Sequence, residues 1–423
     1  MKAGFAGNIA KLFIKSKLTI LLMLTFLIIG IYSTFLIPRE EEPQIDVPIA
    51  DIFVKYPGAS PEEVESRVVS PLEKIISNIT GVEYVYSTSM KEQSMLIVQF
   101  YVGEDIERSL VKLYNEIARH MDLMPSGVSM PLIKSRAIDD VPAMALTVWS
   151  ENYDDFQLRR IAQEINDEIE KITDVAITRI IGGRKRQVRV ILDKDLMGEN
   201  NVDFLTISEK IQANNQEFSS GTFNQNDYEF NVQAGYFVKS AKELGQLIIG
   251  VNDMKPVYLH QVARIEDGPS LPTNYVSFGY GSGNPEMQGQ FDSEYPAITI
   301  SVSKRKGADA MKIADKVIKK VATLRANLIP SDVQVEISRN YGKTASEKVA
   351  ELLMHLIGAI IAVTFVVVLA MGWRGGLVVF LSVPVTFAMT LFAYYYMDYT
   401  LNRITLFALV FVTGIVVDDS III

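Results

Sequence analysis

From Ile404 to Ile423 the sequence is apolar enough to cross a lipid bilayer, yet it carries two adjacent carboxylates, Asp418 and Asp419. An ionised aspartate near the centre of the hydrocarbon layer costs about 2.5–3.5 kcal/mol on insertion scales. At about 1.5 Å of rise per residue, Asp418 lies on the order of 20 Å into the span, too deep for so short a side chain to reach either rim. The pair is therefore expected to face a protein interior and to act there. The sharper reading is a proton-binding pair in a membrane pump; the plainer one is a helix-end pair among the lipid headgroups. Gly414, one turn before Asp418 on the same face, leaves room for a neighbouring helix.

Three further apolar runs, Leu18–Ile37, 352–371 and 375–396, make this a polytopic α-helical membrane chain. The first run exits through Phe35-Leu36-Ile37-Pro38-Arg39, without the small residues of a cleavage site, so it is a retained helix rather than a signal peptide. Lys15 and Lys17 place residues 1–17 in the cytoplasm, where Phe5, Ile9, Leu12 and Phe13 suit the apolar face of a surface-lying helix, the alternative being a flank that only sets orientation. Counting spans then puts residues 38–348 outside, and the turn Gly372-Trp373-Arg374-Gly375-Gly376 inside. Pro384 is expected to kink or soften the third span. The sequence stops within an apolar run (404–423), which reads as the front piece of a longer polypeptide.

Between the first two spans, strand and helix patterns alternate. Ile49–Tyr56 reads as a strand, and Ser60-Pro61-Glu62-Glu63 is a capped helix start, with the helix running to about Asn78. Strands at 82–87 and 94–102 and a helix at 106–121 complete a strand-helix-strand-strand-helix unit. A second unit spans 143–149, 156–172 and 175–181, and a third spans 297–303, 308–328 and 333–338. Residues 182–268 differ in character and read as an inserted subdomain, with a polar stretch at 219–231 and a strand at 256–262. Arg184-Lys185-Arg186 reads as a solvated turn in preference to a binding patch. The fold class expected is a polytopic helical membrane protein with a large α+β outer domain of repeated split β-α-β, ferredoxin-like subdomains.

A net charge of −9 argues against nucleic acid as a partner, and the absence of cysteine removes disulfides and thiolate metal sites. His120, His260 and His355 are too scattered to suggest a metal site. Met90, Met95, Met121, Met124, Met130 and Met144 leave Cu(I) chemistry open, although methionine is also a common core filler. No phosphate loop, nucleophile elbow or paired metal motif points to an enzyme, and Gly279–Gly283 is read as a loop.

One span, a long outer region of repeated units, and "GIVVDDSIII" in the fourth span together resemble the resistance–nodulation–division pumps, most closely their drug-exporting, hydrophobe/amphiphile branch. "YPGASPEEVE", "GVEYVYSTS" and "PVYLHQVARIEDGP" add to the likeness, which covers the whole chain but only the first four of that family's twelve membrane helices. The resemblance implies an inner-membrane homotrimer with residues 38–133 as one porter subdomain, 134–181 with 268–345 as a second, and 182–267 as a docking insertion. It implies that Asp418 and Asp419 relay protons to drive export of small amphiphilic substrates, without a cofactor other than the proton-motive force. A periplasmic adaptor and an outer-membrane channel are the implied partners. The stretch 219–236 is short for the family's docking hairpin, and its pocket aromatics have no match at Ile180-Ile181 or Pro142-Ala143, so no substrate contacts are carried over. A heavy-metal exporter of the same superfamily and a truncated, non-transporting membrane-anchored assembly module are the alternatives.

Overall fold

The structure is a computed structural model that describes residues 13, 16–40, 43, 47–136, 140–281 and 293–422. The amphipathic segment expected over residues 1–17 lies almost wholly outside them, as does part of the 279–283 loop. The chain forms two compact units: Met1–Thr147 with Gln163–Ile180 and Thr299–Ile423, and Val148–Ala162 with Ile181–Ile298.

Helix α1 (Leu18–Leu36) buries only Gly30 and Ser33. A Cβ at Gly30 would stand 2.3 Å from the Cα of Ala388, so two helix backbones meet there and only glycine fits.

The first sheet begins with β1 (Ile49–Lys55). Ser60 and Glu63 then form the expected reciprocal cap, at 3.3 and 3.0 Å. The helix they open is not uniform: α2 (Pro61–Val64) passes through a π turn, Glu65–Val69, into α3 (Ser70–Ser77). Pro71 lacks the N–H that a regular turn needs, and the wide turn directly before it is the accommodation. Strands β2 (Val82–Met90) and β3 (Gln93–Phe100), helix α4 (Ile106–Arg119) and β4 (Leu132–Arg136) complete an antiparallel sheet of order β2-β3-β1-β4. Ile52, Val54, Leu96, Val98 and Phe100 sit on its inner face, at the strand period of two. Val68, Leu72 and Ile76 cover them from one helix, Leu113 and Ile117 from the other.

The second sheet opens with β5 (Met144–Trp149), α5 (Asp155–Glu170) and β6 (Val175–Ile181). The chain then departs into an insertion: β7 (Arg186–Leu192), α6 (Lys194–Glu199), α7 (Phe204–Asn214), β8 (Gln216–Gln225), β9 (Tyr228–Tyr236), α8 (Ala241–Gly245), β10 (Ile248–Asn252), β11 (Lys255–Tyr258), α9 (Leu259–Val262) and β12 (Ala263–Pro269). Its core gathers Ile207, Ile249, Val257, Leu259 and Val262. Residues 256–262, expected as a strand, split into β11 and one helical turn, because Gln261 Oε1 accepts the Tyr258 N–H at 2.8 Å and closes that turn. Strands β13 (Ser277–Phe278) and β14 (Tyr295–Lys304), helix α10 (Ala310–Asn327) and β15 (Gln334–Asn340) return to the sheet. Its order is β13-β14-β5-β15, with β6 also paired to β14.

Three long helices follow: α11 (Tyr341–Met371), α12 (Trp373–Tyr396) and α13 (Arg403–Ile422). Helix α11 starts directly from β15 and contains the expected span 352–371, with Asn340 Oδ1 accepting the Lys343 N–H at 3.0 Å as its cap. The expected five-residue turn at 372–376 is a single residue, Gly372, whose φ of 83° reverses the chain at once. Gly376 is already helical, and a Cβ there would meet Val368 Cγ2 at 2.1 Å. Pro384 stands inside a continuous α12, where Thr386 and Thr390 donate to carbonyls one turn back at 3.0 and 2.9 Å. Leu356, Ile360, Val383, Phe387, Leu406 and Leu409 form the core among these helices, while Leu24, Ile28, Phe365, Leu369, Phe380 and Phe407 are exposed. Among the described residues α1, α11 and α12 are long and apolar enough to cross a membrane.

Candidate functional site

The start of α13 is fixed firmly. Asn402, buried, accepts the N–H groups of Ile404 and Thr405 on Oδ1, each at 3.0 Å, while Thr405 Oγ1 accepts the Asn402 N–H at 3.0 Å. This reciprocal cap satisfies donors that a helix leaves open at its first turn. From there Leu406, Leu409, Thr413 and Val417 recur at helical spacing and form the buried stripe of α13. Thr413 spends its hydroxyl on the Leu409 carbonyl at 3.1 Å.

Asp418 and Asp419 stand off that stripe. At about 100° per residue, Asp418 is rotated about 100° from Val417 and Asp419 about 200°. Both are exposed, and among the described residues neither side chain makes a hydrogen bond or an ion pair. Gly414 is exposed beside Asp418, and the place a Cβ would take has nothing within 4 Å. The carboxylates and the small-residue notch thus share an open side of a helix whose other side is packed. The protein interior expected around the pair is not supplied by the described residues.

Outside the helices, the basic run at 184–186 is largely solvated, with Lys185 and Arg186 exposed, but two of its members are also ion-paired. The Arg184 guanidinium grips Asp155 through Nη2 at 2.5 Å and Nε at 2.8 Å, and Arg186 pairs with Asp267 across β7 and β12 at 2.5 Å. Hydrogen bonding to Arg184 holds the Asp155 carboxyl below the usual range. These two pairs, with the Arg159 guanidinium donating to the Gly182 carbonyl, brace the start of the insertion. Like-signed neighbours in sequence gave no sign of this, because their acidic partners are remote along the chain.

Two aromatic groups escaped the sequence reading. Hairpin β8–β9 is exposed along nearly its whole length, with Phe223 stacked on Phe230 at 5.1 Å. Its turn, Asn226-Asp227, has positive φ at both residues, a two-residue hairpin signal present in the sequence. In the second unit Trp149 stacks on Phe278 at 5.0 Å and on Tyr295 at 4.9 Å, with Tyr280 edge-on at 5.7 Å. The methionines occupy unlike environments: Met121 and Met124 pack on the first core, Met144 is fully buried, and Met130 is exposed.

Residues 9–423 match the model of the AcrB/AcrD/AcrF family. The chain belongs to that family. Similar curated proteins include the "Multidrug resistance protein MdtC" of Yersinia enterocolitica (serotype O:8 / biotype 1B), of Yersinia pseudotuberculosis (serotype O:1b) and of Yersinia pestis bv. Antiqua (strain Angola). Each is 29% identical over 412 residues, which cover 96% of this chain. The chain spans 38% of the length of these relatives. Family membership and the membrane-length helices make it a multi-pass inner-membrane member of the resistance–nodulation–division group.

Proposed function

We propose that this chain is the N-terminal part of a proton-driven exporter of small amphiphilic compounds, and that Asp418 and Asp419 are its proton relay. The carrying observation is the acidic pair on the unpacked side of α13, next to the Gly414 notch. In hydrocarbon that side requires a protein partner, because a carboxylate facing lipid carries the insertion cost and a protonated one far less. A cation on a later helix of the whole pump would pair with the ionised form. Protonation would remove that attraction, and α13 would shift against its neighbours. The relatives' name, multidrug resistance protein, supports drug rather than metal cargo.

On this reading residues 1–17 are cytoplasmic and 38–348 periplasmic. The order β2-β3-β1-β4 recurs as β6-β14-β5-β15, which supports the split β-α-β, ferredoxin-like description of two porter subdomains. The insertion 182–267 falls between the second and third strands of the second repeat. Its exposed hairpin suits contact with another copy in a homotrimer, and a periplasmic adaptor and outer-membrane channel would complete the export path.

Everted membrane vesicles carrying the whole pump separate the cargo classes. With an acid interior imposed, amphiphilic dyes such as ethidium are expected to dissipate the proton gradient, while copper and silver ions leave it unchanged. Dissipation by the metal ions alone would overturn the drug assignment.

A further inference from the structure

Glu40 follows the first membrane helix closely and is 4% exposed, an unusual place for a carboxylate. Its Oε1 lies 2.6 Å from Nζ of Lys304, the last residue of β14, across 264 residues of sequence. The side chains of both are nearly covered, at 3% and 12% exposure. The backbone of the same segment is tied elsewhere. The Glu40 N–H donates to the Leu401 carbonyl at 3.0 Å, and the Leu401 N–H donates to the Pro38 carbonyl at 2.9 Å, a short parallel bridge. Leu401 is fully buried in the helix core and adjoins Asn402, which caps α13. One residue therefore touches both the fixed start of the helix that bears the acidic pair and the end of a sheet strand.

We infer that Glu40 is a positioning residue, which carries displacement of α13 to strand β14 through its buried ion pair with Lys304. The inference rests on the relay reading of Asp418 and Asp419. The physical case is the stiffness of the path. Asn402 and Thr405 lock the cap to the helix, the 38–40 segment is laddered to Leu401, and pulling a buried ion pair apart costs more than separating an exposed one. A shift of α13 along its axis then pulls Glu40, and Lys304 must follow. Lys304 continues into Arg305, whose N–H donates to the Asp174 carbonyl at 2.9 Å, so the pull enters the loop that joins α5 to β6. A surface pair of the same length would only exchange its partner for water.

Residues 1–423 contain no cysteine, so with any cysteine beyond them replaced, spin labels go at Phe407→Cys on α13 and Lys312→Cys on α10, both exposed positions. In the whole pump, Asp418→Asn, a mimic of the protonated form, is expected to shift the label-to-label distance. Adding Glu40→Met with Lys304→Met keeps the site filled without charge, and should cut that shift below about half while leaving the pump folded. The charge-exchanged pair, Glu40→Lys with Lys304→Glu, should restore most of it. Ethidium export, at equal membrane abundance, should fall about tenfold in the neutral double variant and recover in the exchanged one. A full distance shift in the neutral double variant would overturn the inference. So would an absent shift in a pump whose export Asp418→Asn abolishes, and in that case the relay itself stands. Undiminished export by Asp418→Asn would instead remove the relay reading.

Discussion

Glu168 is held as a carboxylate by two lysines, Lys171 and Lys320, the latter at 2.6 Å, and its pKa is lowered from 4.5 to about 2. The folded chain therefore binds this proton less readily than the unfolded chain does. The stabilisation is complete above about 4.5 and is lost as pH falls toward about 2. Glu168→Gln should lower the unfolding temperature at pH 7, and the gap to the parent should close as pH is taken down through that window. A gap that stays constant with pH would refute the assignment. This charge tuning was invisible in the sequence, since Lys320 comes from another helix far along the chain. Asp418 and Asp419 were legible for the opposite reason: two charges in an apolar run stand out without any partner being known. What the sequence left open was their surroundings, and the described residues cover only the other side of the helix.

Among the elements, Gly30 and Gly358 make a controlled pair. A side chain at Gly30 collides with the Ala388 backbone, whereas nothing stands within 4 Å of a Cβ at Gly358. Gly30→Val should destabilise the helix bundle by about 1–3 kcal/mol through forced separation, and Gly358→Ala should not. Thermal unfolding of the detergent-purified protein checks this; equal midpoints for both variants would contradict the close α1–α12 approach. Element types came through from pattern alone, because strands at 49–55 and 93–100 and helices at 106–119 and 310–327 have strong periodicity and clear caps. The misses were local hydrogen-bond choices. Pro71 widened a helical turn, Gln261 turned the end of a strand reading into α9, and one glycine at 372 replaced a five-residue turn.

For the whole molecule, the alternating strand and helix patterns pointed to a mixed outer region of several small sheets, and residues 182–268 stood out in the sequence by their break in character. In the sequence the β8–β9 hairpin reads only as a polar stretch despite the turn signal at Asn226-Asp227, since its aromatic side chains face outward and obey no burial period. If that hairpin joins copies, replacing Phe223 and Phe230 by Ser should leave each chain folded and shift the assembled pump toward lower mass by native mass spectrometry. An unchanged mass would exclude these aromatics from the assembly contact. The export cycle proposed for the whole pump depends on the acidic pair of α13. The most direct measurement is dye export by the whole pump carrying Asp418→Asn or Asp419→Asn, at membrane levels matched to the parent. Loss of export by at least one of them with assembly preserved is the result predicted, and undiminished export by both would contradict it.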